Sequence, residues 1–480
     1  MRNILKGLLL TVLMLCASHA WADSIPSYAL NFLHEKRVAY EKPPKTYRYR
    51  VKFKNKDNNA YTLRRPEEYL SLKAIDRRLK YNIRVDEHDL PVSPVYLDYL
   101  SKKGLQILVT SKWNNTAVVE TADTAVVESL TGVKFIESVR RVWESADSVR
   151  VDDYSDRKEK VTNDVDTLQN YYGHAEGQVK MIGVDKLHEA GFTGDGITIA
   201  VIDGGFMNAD CIAGFDSTKI LGTHNFVAPD KSIYAAQPHG TMVLSCIAAN
   251  SPYCLVGTAP AASFYLLMSE DARSEQIVEE DFWSAALEYA DSAGVDIVTS
   301  SLGYYVFDDS ASSHKYYELD GETAVCSHAA SMAASRGLLV LNSAGNCGDE
   351  EWKKISFPAD AKDILTVGAV NSEGVNTVFS SVGNTADGRT KPDVMAQGED
   401  AWLYDMTGSV SSANGTSFST PILAGGVACL LEALPYATPL QIINAVRQSS
   451  SNVAHPDNIY GYGIPNLWKA YELLQSGQIR

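Results

Sequence analysis

Five runs in the second half of the chain are apolar almost without a break: GITIAVID (196–203), ASFYLLM (262–268), VDIVTSS (295–301), GLLVLNSAGN (337–346) and ILTVGAV (364–370). A strand with one wet face alternates apolar and polar residues. Runs like these belong instead to strands covered on both faces, as in a parallel sheet. Between them lie VEEDFWSAALEYADSAG (278–294) and ETAVCSHAASMAASRG (322–337), which carry helical spacing and close on glycine. The alternation predicts an α/β fold, a doubly wound and mostly parallel sheet with helices on both faces. Ligands in such sheets sit at the carboxyl ends of the strands.

Upstream of residue 180 the pattern differs. YRYRVKFK (47–54) alternates aromatic or aliphatic with basic residues at period two, a half-exposed strand. PEEYLSLKAIDRRLKYNI (66–83) has helical spacing at Leu70, Ala74 and Ile75. SPVYLDYLSKKG (93–104) reads as a helix with Ser93 as N-cap, Pro94 at its first position and Gly104 as the stop. LQILVTSKW and TAVVETA follow as strands, DTAVVESL as a short helix and VKFIESVRRV as a closing strand. These elements predict a small α+β domain over 46–145. The polar, charge-rich span that follows predicts an exposed linker over 146–170, and the α/β domain occupies 171–475.

At the N-terminus, Arg2 and Lys6 precede an apolar run from Gly7 to Cys16, and Ala20-Trp21-Ala22 supplies a small-residue cleavage site. Residues 1–22 therefore read as an export signal, giving a periplasmic or extracellular product. Leu15 before Cys16 is bulkier than the small residue of a lipid-attachment site. The formal charge of −16 speaks against nucleic acid or an anionic membrane surface as partner. The apolar stretch after Pro421 contains Gly425 and Gly426 and reads as a buried helix shorter than the roughly 20 residues of a membrane span. Signal removal leaves Cys211, Cys246, Cys254, Cys326, Cys347 and Cys429, an even number that permits three disulfides in any of 15 connectivities. Cys429, inside the apolar helix, equally fits a buried thiol. No CxxC pair or His/Cys spacing suggests a structural zinc.

Three polar residues stand at element edges beside glycine. Asp203 ends the run ITIAVID and precedes Gly204-Gly205; His239 lies in PHGTMVLSCIAA at the start of an apolar helix; Ser417 lies in NGTSFSTP, where Pro421 suits the first turn of a helix. Alone, each fits a blander role: a loop cap, an ordinary polar residue, a hydroxyl-rich helix cap. Together they supply a nucleophile, a base and a group to orient the base.

The blocks IAVIDGG, HGTMV, NSAGN and NGTSFSTP resemble, in this order, the signature blocks of subtilisin-like serine proteases, the subtilases. The order Asp, His, Ser is the one known for subtilisin. The resemblance covers about residues 165 to 475. It implies a serine endopeptidase in which Ser417 attacks, His239 moves the proton and Asp203 orients the imidazole. Asn346 and the backbone N–H of Ser417 would hold the oxyanion. It also implies that residues 46–145 are an inhibitory prodomain, an intramolecular partner cut away at 146–170. GYGIPN (461–466) places the chain with exported bacterial subtilases whose core ends soon after that segment.

The resemblance further implies that protein or peptide substrates pair as an extra strand between Ser301-Leu302-Gly303 and Ser343-Ala344-Gly345. Tyr304 and Tyr305 would flank the cleft, and Pro358 would follow a cis bond. Ala396-Gln397-Gly398 departs from the family's small-Pro-Gly turn, and a disulfide from Cys347 would restrain the oxyanion loop. The chemistry requires no cofactor. Structural calcium is frequent in the family, and the acidic stretch Asp308–Asp320 is its candidate loop, against a plain solvated surface loop. Two other readings compete. A catalytically silent subtilase-fold binding protein would lack one of Asp203, His239, Asn346 or Ser417, and all are present. An esterase would carry G-x-S-x-G with its histidine last.

Overall fold

The structure, a computed structural model of the chain, describes residues 39–41, 45–146, 149–151 and 167–479. The signal read at 1–22 and most of the linker read at 146–170 lie outside the described residues. The described chain divides into two compact units. In the smaller, Ala39–Glu41 pairs antiparallel with Val149–Val151, so the span read as plain linker contains one short strand. The larger unit holds everything else described.

Its first part is a four-stranded antiparallel sheet of β1 (Tyr47–Phe53), β2 (Gln106–Ser111), β3 (Thr116–Thr121) and β4 (Ile136–Glu144), in the order β2-β3-β1-β4. Two helices accompany it, α1 (Leu72–Lys80) and α2 (Pro94–Lys102), with a further short helix at Thr124–Glu128, where one was expected. Val51 and Phe53 of β1 pack with Tyr96 and Leu100 of α2 in a small core of their own. Ser93 precedes α2 as expected, but its hydroxyl makes no capping bond. Of the basic residues of β1 only Lys52 is exposed to water. Arg48 and Arg50 are buried, and Arg50 pairs with Asp281 at 2.7 Å. A period-two pattern reports two faces and cannot say that a second domain covers one of them.

The second part is a seven-stranded sheet. Its strands are β5 (Thr198–Asp203), β6 (Lys219–Asn225), β7 (Ser263–Met268), β8 (Ile297–Ser300), β9 (Leu339–Ser343), β10 (Leu365–Val370) and β11 (Val394–Gln397). They run parallel in the order β11-β10-β9-β8-β5-β7-β6. All five apolar runs are strands; β6 and β11, more polar or shorter, carry no such signal. The sequence Ala396-Gln397, read as a loop, is the end of β11. Chain order reverses at β5, which lies between β8 and β7, and a crevice opens beyond the strand ends at such a point.

Alternate residues of β5 feed opposite cores. Ile199 and Val201 join one cluster, Ala200 and Ile202 the other. The first face is covered by α3 (His239–Ala248) and α6 (Thr416–Ala433), the second by α4 (Glu279–Ala293) and α5 (Val325–Ser335). The second core also takes in Trp113, Val118 and Val142 from the N-terminal domain. α6 begins five residues before Pro421, so it is longer than the sequence suggested. By length and composition its 18 residues could cross a membrane, yet 89% of that window is buried inside the protein.

Candidate active site

Asp203 is the last residue of β5 and fully buried; its Oδ1 accepts the Gly204 N–H at 2.8 Å and meets His239 Nδ1 at 2.8 Å. His239 opens α3. The approach depends on Gly240, where a side-chain carbon would lie 2.4 Å from the Gly205 carbonyl oxygen and 2.9 Å from Asp203 Cβ. Burial disfavours charge on the imidazole, but the charge and hydrogen bond of Asp203 outweigh it, and the His239 pKa is raised above its ordinary value.

Ser417 is the second residue of α6, at the positive end of an 18-residue helix. Pro421 is not in the first turn but sits inside the helix. Having no N–H, it leaves the carbonyl four residues earlier, that of Ser417, without its helical donor. Ser301 Oγ fills the vacancy and donates to that carbonyl oxygen at 2.8 Å. Ser417 Oγ in turn donates to the Ser301 carbonyl at 3.4 Å. It shares the cleft with His239, and its hydrogen bond is to the Ser301 carbonyl.

Asn346 follows β9. Its Oδ1 accepts both the Thr416 N–H at 2.9 Å and the Thr416 hydroxyl at 2.8 Å. A backbone N–H can only donate, so the amide oxygen must face Thr416, which leaves Nδ2 as the free donor. The Thr416 hydroxyl also accepts the Gly345 N–H at 3.2 Å, tying this loop to the start of α6.

His239, Ser417 and Asn346 line one cleft of about 260 Å³. Ser301, Leu302 and Gly303 border it on one side, Ser343 and Gly345 on the other. Ala344, expected with them, is fully buried and its N–H bonds the Val367 carbonyl. Tyr305 lines the cleft, with its hydroxyl on Glu350 and its ring stacked on Trp352. Tyr304 does not flank it: that side chain is buried and its backbone pairs with Phe357. The Phe357–Pro358 bond is cis.

Cys246, Cys254, Cys326, Cys347 and Cys429 are thiols, and none of the permitted disulfides joins two of the described cysteines. The Asn346 loop is held by hydrogen bonds instead. Cys347 N–H donates to Ser381 Oγ at 3.0 Å, and Ser381 N–H to the Gly345 carbonyl at 3.0 Å. In the acidic stretch, Asp309 and Asp320 accept N–H and hydroxyl groups of their own loops, and Asp308 accepts the Glu275 N–H. Among the described residues no three His, Cys, Asp or Glu side chains are grouped to hold a metal ion.

The sequence reading missed Glu270, Glu275, Ser356 and Thr416, which also line the cleft. For Glu270 a signal existed: it lies two residues past the apolar run ending at Met268, at the carboxyl end of a strand.

Comparison with known proteins fits this geometry. A model of the subtilase family matches residues 194–463, over half the chain. A model of the peptidase S8 propeptide domain of Bacteroidota matches residues 48–160. Subtilisin NAT of Bacillus subtilis subsp. natto is 29% identical over 295 residues, 61% of this chain and 70% of that protein. Subtilisin DY of Bacillus licheniformis is 26% identical over 60% of this chain and 96% of its own length. The fold resembles the crystal structure of the epidermin leader peptide processing serine protease (EpiP) of Staphylococcus aureus, with a TM-score of 0.60 at 16% identity, covering 89% of this chain and 98% of that one. The family match spans over half the chain, and the chain belongs to the subtilase family, peptidase S8, with an S8 propeptide domain ahead of its protease domain.

Proposed function

We propose that the chain is an exported serine endopeptidase, made as a zymogen that cleaves itself between residues 145 and 170. Ser417 Oγ attacks the peptide carbonyl while His239 Nε2 takes its proton. Asp203 holds the ring through Nδ1 and stabilises the imidazolium. Negative charge on the attacked oxygen is met by Asn346 Nδ2 and the Ser417 N–H. The imidazolium then returns its proton to the leaving amine, and water repeats the cycle on the acyl-enzyme. These four residues account for every proton and charge, so no step is assigned to a cofactor.

The observation that carries the reading is the 2.8 Å Asp203–His239 contact in a cleft that Ser417 and Asn346 also line. Ser417 Oγ, now on the Ser301 carbonyl, turns to the imidazole when substrate binds, since catalytic hydrogen bonds often tighten only in the substrate complex. Self-processing is supported by the route of β4. Glu144 exchanges two hydrogen bonds with Gln276, at 2.9 and 3.0 Å, beside the cleft residue Glu275, which brings the end of the prodomain to the cleft.

The test is labelling by a peptidyl phosphonate together with intact mass. The parent chain should separate into two fragments and label once, whereas Ser417→Ala should stay joined and unlabelled. A parent chain that takes no label and cleaves no peptide refutes the assignment. Ester turnover without peptide turnover would mark a different hydrolase.

A further inference from the structure

Beside the proposed catalytic residues the cleft holds two carboxylates that form no ion pair with a lysine or arginine among the described residues. β7 pairs with β5 in a register that sets Met268 beside Asp203, and the Ser269 N–H donates to the Asp203 carbonyl at 3.1 Å. Glu270 therefore emerges next to Asp203 on the His239 side, and Glu275 follows on the same loop; both line the cleft. Beneath them Glu279 is 1% exposed. Its Oε1 accepts the Asp271 N–H, while its Oε2 is buried with no hydrogen-bond partner. The hydroxyl of buried Tyr304 is also unpartnered.

Each of these groups feels the others. Burial first, then neighbouring charge from Glu275 and Asp203, pushes the Glu270 carboxyl up to about 8. Burial and Asp308 push Glu275 up to about 7. Burial, Glu275 and Glu270 push Glu279 up to about 11. The remaining charged neighbours are His239 and Asp271. The cation of this loop, Arg273, is committed to Asp271 at 2.6 and 2.7 Å. Three crowded carboxyls that share no lysine or arginine among the described residues are pushed toward their protonated forms.

Resting on the protease reading above, we propose that Glu270 and Glu275, over Glu279, form an acidic subsite that takes a lysine or arginine side chain of the substrate on the His239 side of the cleft. A metal ion would need the carboxylates converged on a point, and they are not so grouped. A long side chain with several N–H donors suits two separated acceptors such as Glu270 and Glu275, both on the cleft wall. Its entry supplies the missing charge and leaves Glu270 and Glu275 ionised.

The test uses the mature, self-processed enzyme and quenched peptides that differ only in Lys, Gln or Glu at each of the four positions preceding the cleaved bond. One position should favour Lys over Gln in kcat/KM by about tenfold or more. Because a carboxyl with a raised pKa is charged only above that value, the Lys/Gln ratio should climb between pH 6.5 and 8.5. Glu270→Gln should collapse the ratio and flatten its pH dependence, and Glu270→Asp should restore part of both. Phosphonate labelling of Ser417 with no Lys preference at any position, or a preference indifferent to pH and to Glu270→Gln, overturns the subsite and leaves the protease reading standing. An enzyme that neither labels nor cleaves overturns both.

Discussion

Replacing Asp291 by asparagine tests what holds the prodomain in place. Asp291 lies on α4, fully buried, and its carboxylate accepts from three prodomain cations. Arg78 Nη2 donates at 3.0 and 2.9 Å, Lys112 Nζ at 2.6 Å, and Arg77 donates as well. Burial works against the charge, but Lys112, Arg77 and Arg78 outweigh it and hold the carboxyl well below the usual carboxylate range. Asparagine keeps the shape and one acceptor but leaves these buried cations short of an anion; Arg78 retains only Asp89, at 2.6 Å. Breaking a buried pair from one side costs about 3–5 kcal/mol, roughly a hundred- to few-thousand-fold in affinity. After self-cleavage, the concentration at which the prodomain comes away on size exclusion should rise by that factor, and activity should appear sooner. Salt up to 1 M should not mimic the effect, since buried pairs are little screened. A depressed carboxylate pKa contributes stability above its unfolded value and loses it as pH falls toward the folded value, so the parent prodomain should loosen only below about pH 4. Adding Lys112→Met to Asp291→Asn should recover part of the loss by removing one orphaned cation. Dissociation at the parental concentration, or no recovery in the double variant, would refute the reasoning.

Four further outcomes are expected. Asn346→Ala should lower kcat by about 10²–10³, the range known for the same change in subtilisin, with KM nearly constant; a rise in KM alone would make Asn346 a binding residue. Thr416→Val removes the hydroxyl bond that aims Asn346 but keeps the amide, so kcat should fall by a smaller factor, about tenfold, in single-turnover assays. Ser301→Ala strips the donor from the Ser417 carbonyl and should destabilise by about 1–3 kcal/mol in thermal unfolding, read in a Ser417→Ala background that cannot self-digest. With a neutral peptide, kcat/KM should rise with pH through a midpoint above the ordinary histidine value of 6.5, because the raised His239 pKa keeps the base protonated longer; Asp203→Asn should move that midpoint down and lower kcat by about 10⁴.

Asp203, His239, Asn346 and Ser417 are legible in the sequence because strand ends and helix starts carry local punctuation: an apolar run, then glycine or proline, then a polar residue. The α/β order is legible for the same reason, since burial on both faces leaves unbroken apolar runs. What escapes is whatever depends on a distant covering surface. Arg77 and Arg78 sit in IDRRLK, where the helical spacing of Ala74 and Ile75 says nothing about them, and both are buried against α4. Glu279, Asp281, Glu288 and Asp291 on α4 are buried as well, which helical spacing alone does not show. Glu270 and Glu275 look like loop charges until the sheet register sets them beside Asp203. The thiols escape too: an even cysteine count permits pairing, and only packing shows Cys246, Cys326 and Cys429 in apolar surroundings. Pro421 misplaces the start of α6 because proline is common in first turns, and nothing local shows that Ser301 will satisfy the carbonyl it frees.

The bond from Thr416 to Asn346 joins residues 70 positions apart, and the bond from Ser301 to Ser417 joins residues 116 apart. Neither can form until β8 and β9 have docked and α6 has crossed them. The oxyanion donor is therefore aimed, and the nucleophile's helix start completed, only at the end of assembly. Under the proposed self-processing, cleavage of the chain's own linker would then work as an inspection step: a molecule that has not closed these long-range contacts would not release its propeptide, and would stay inert wherever it happens to be.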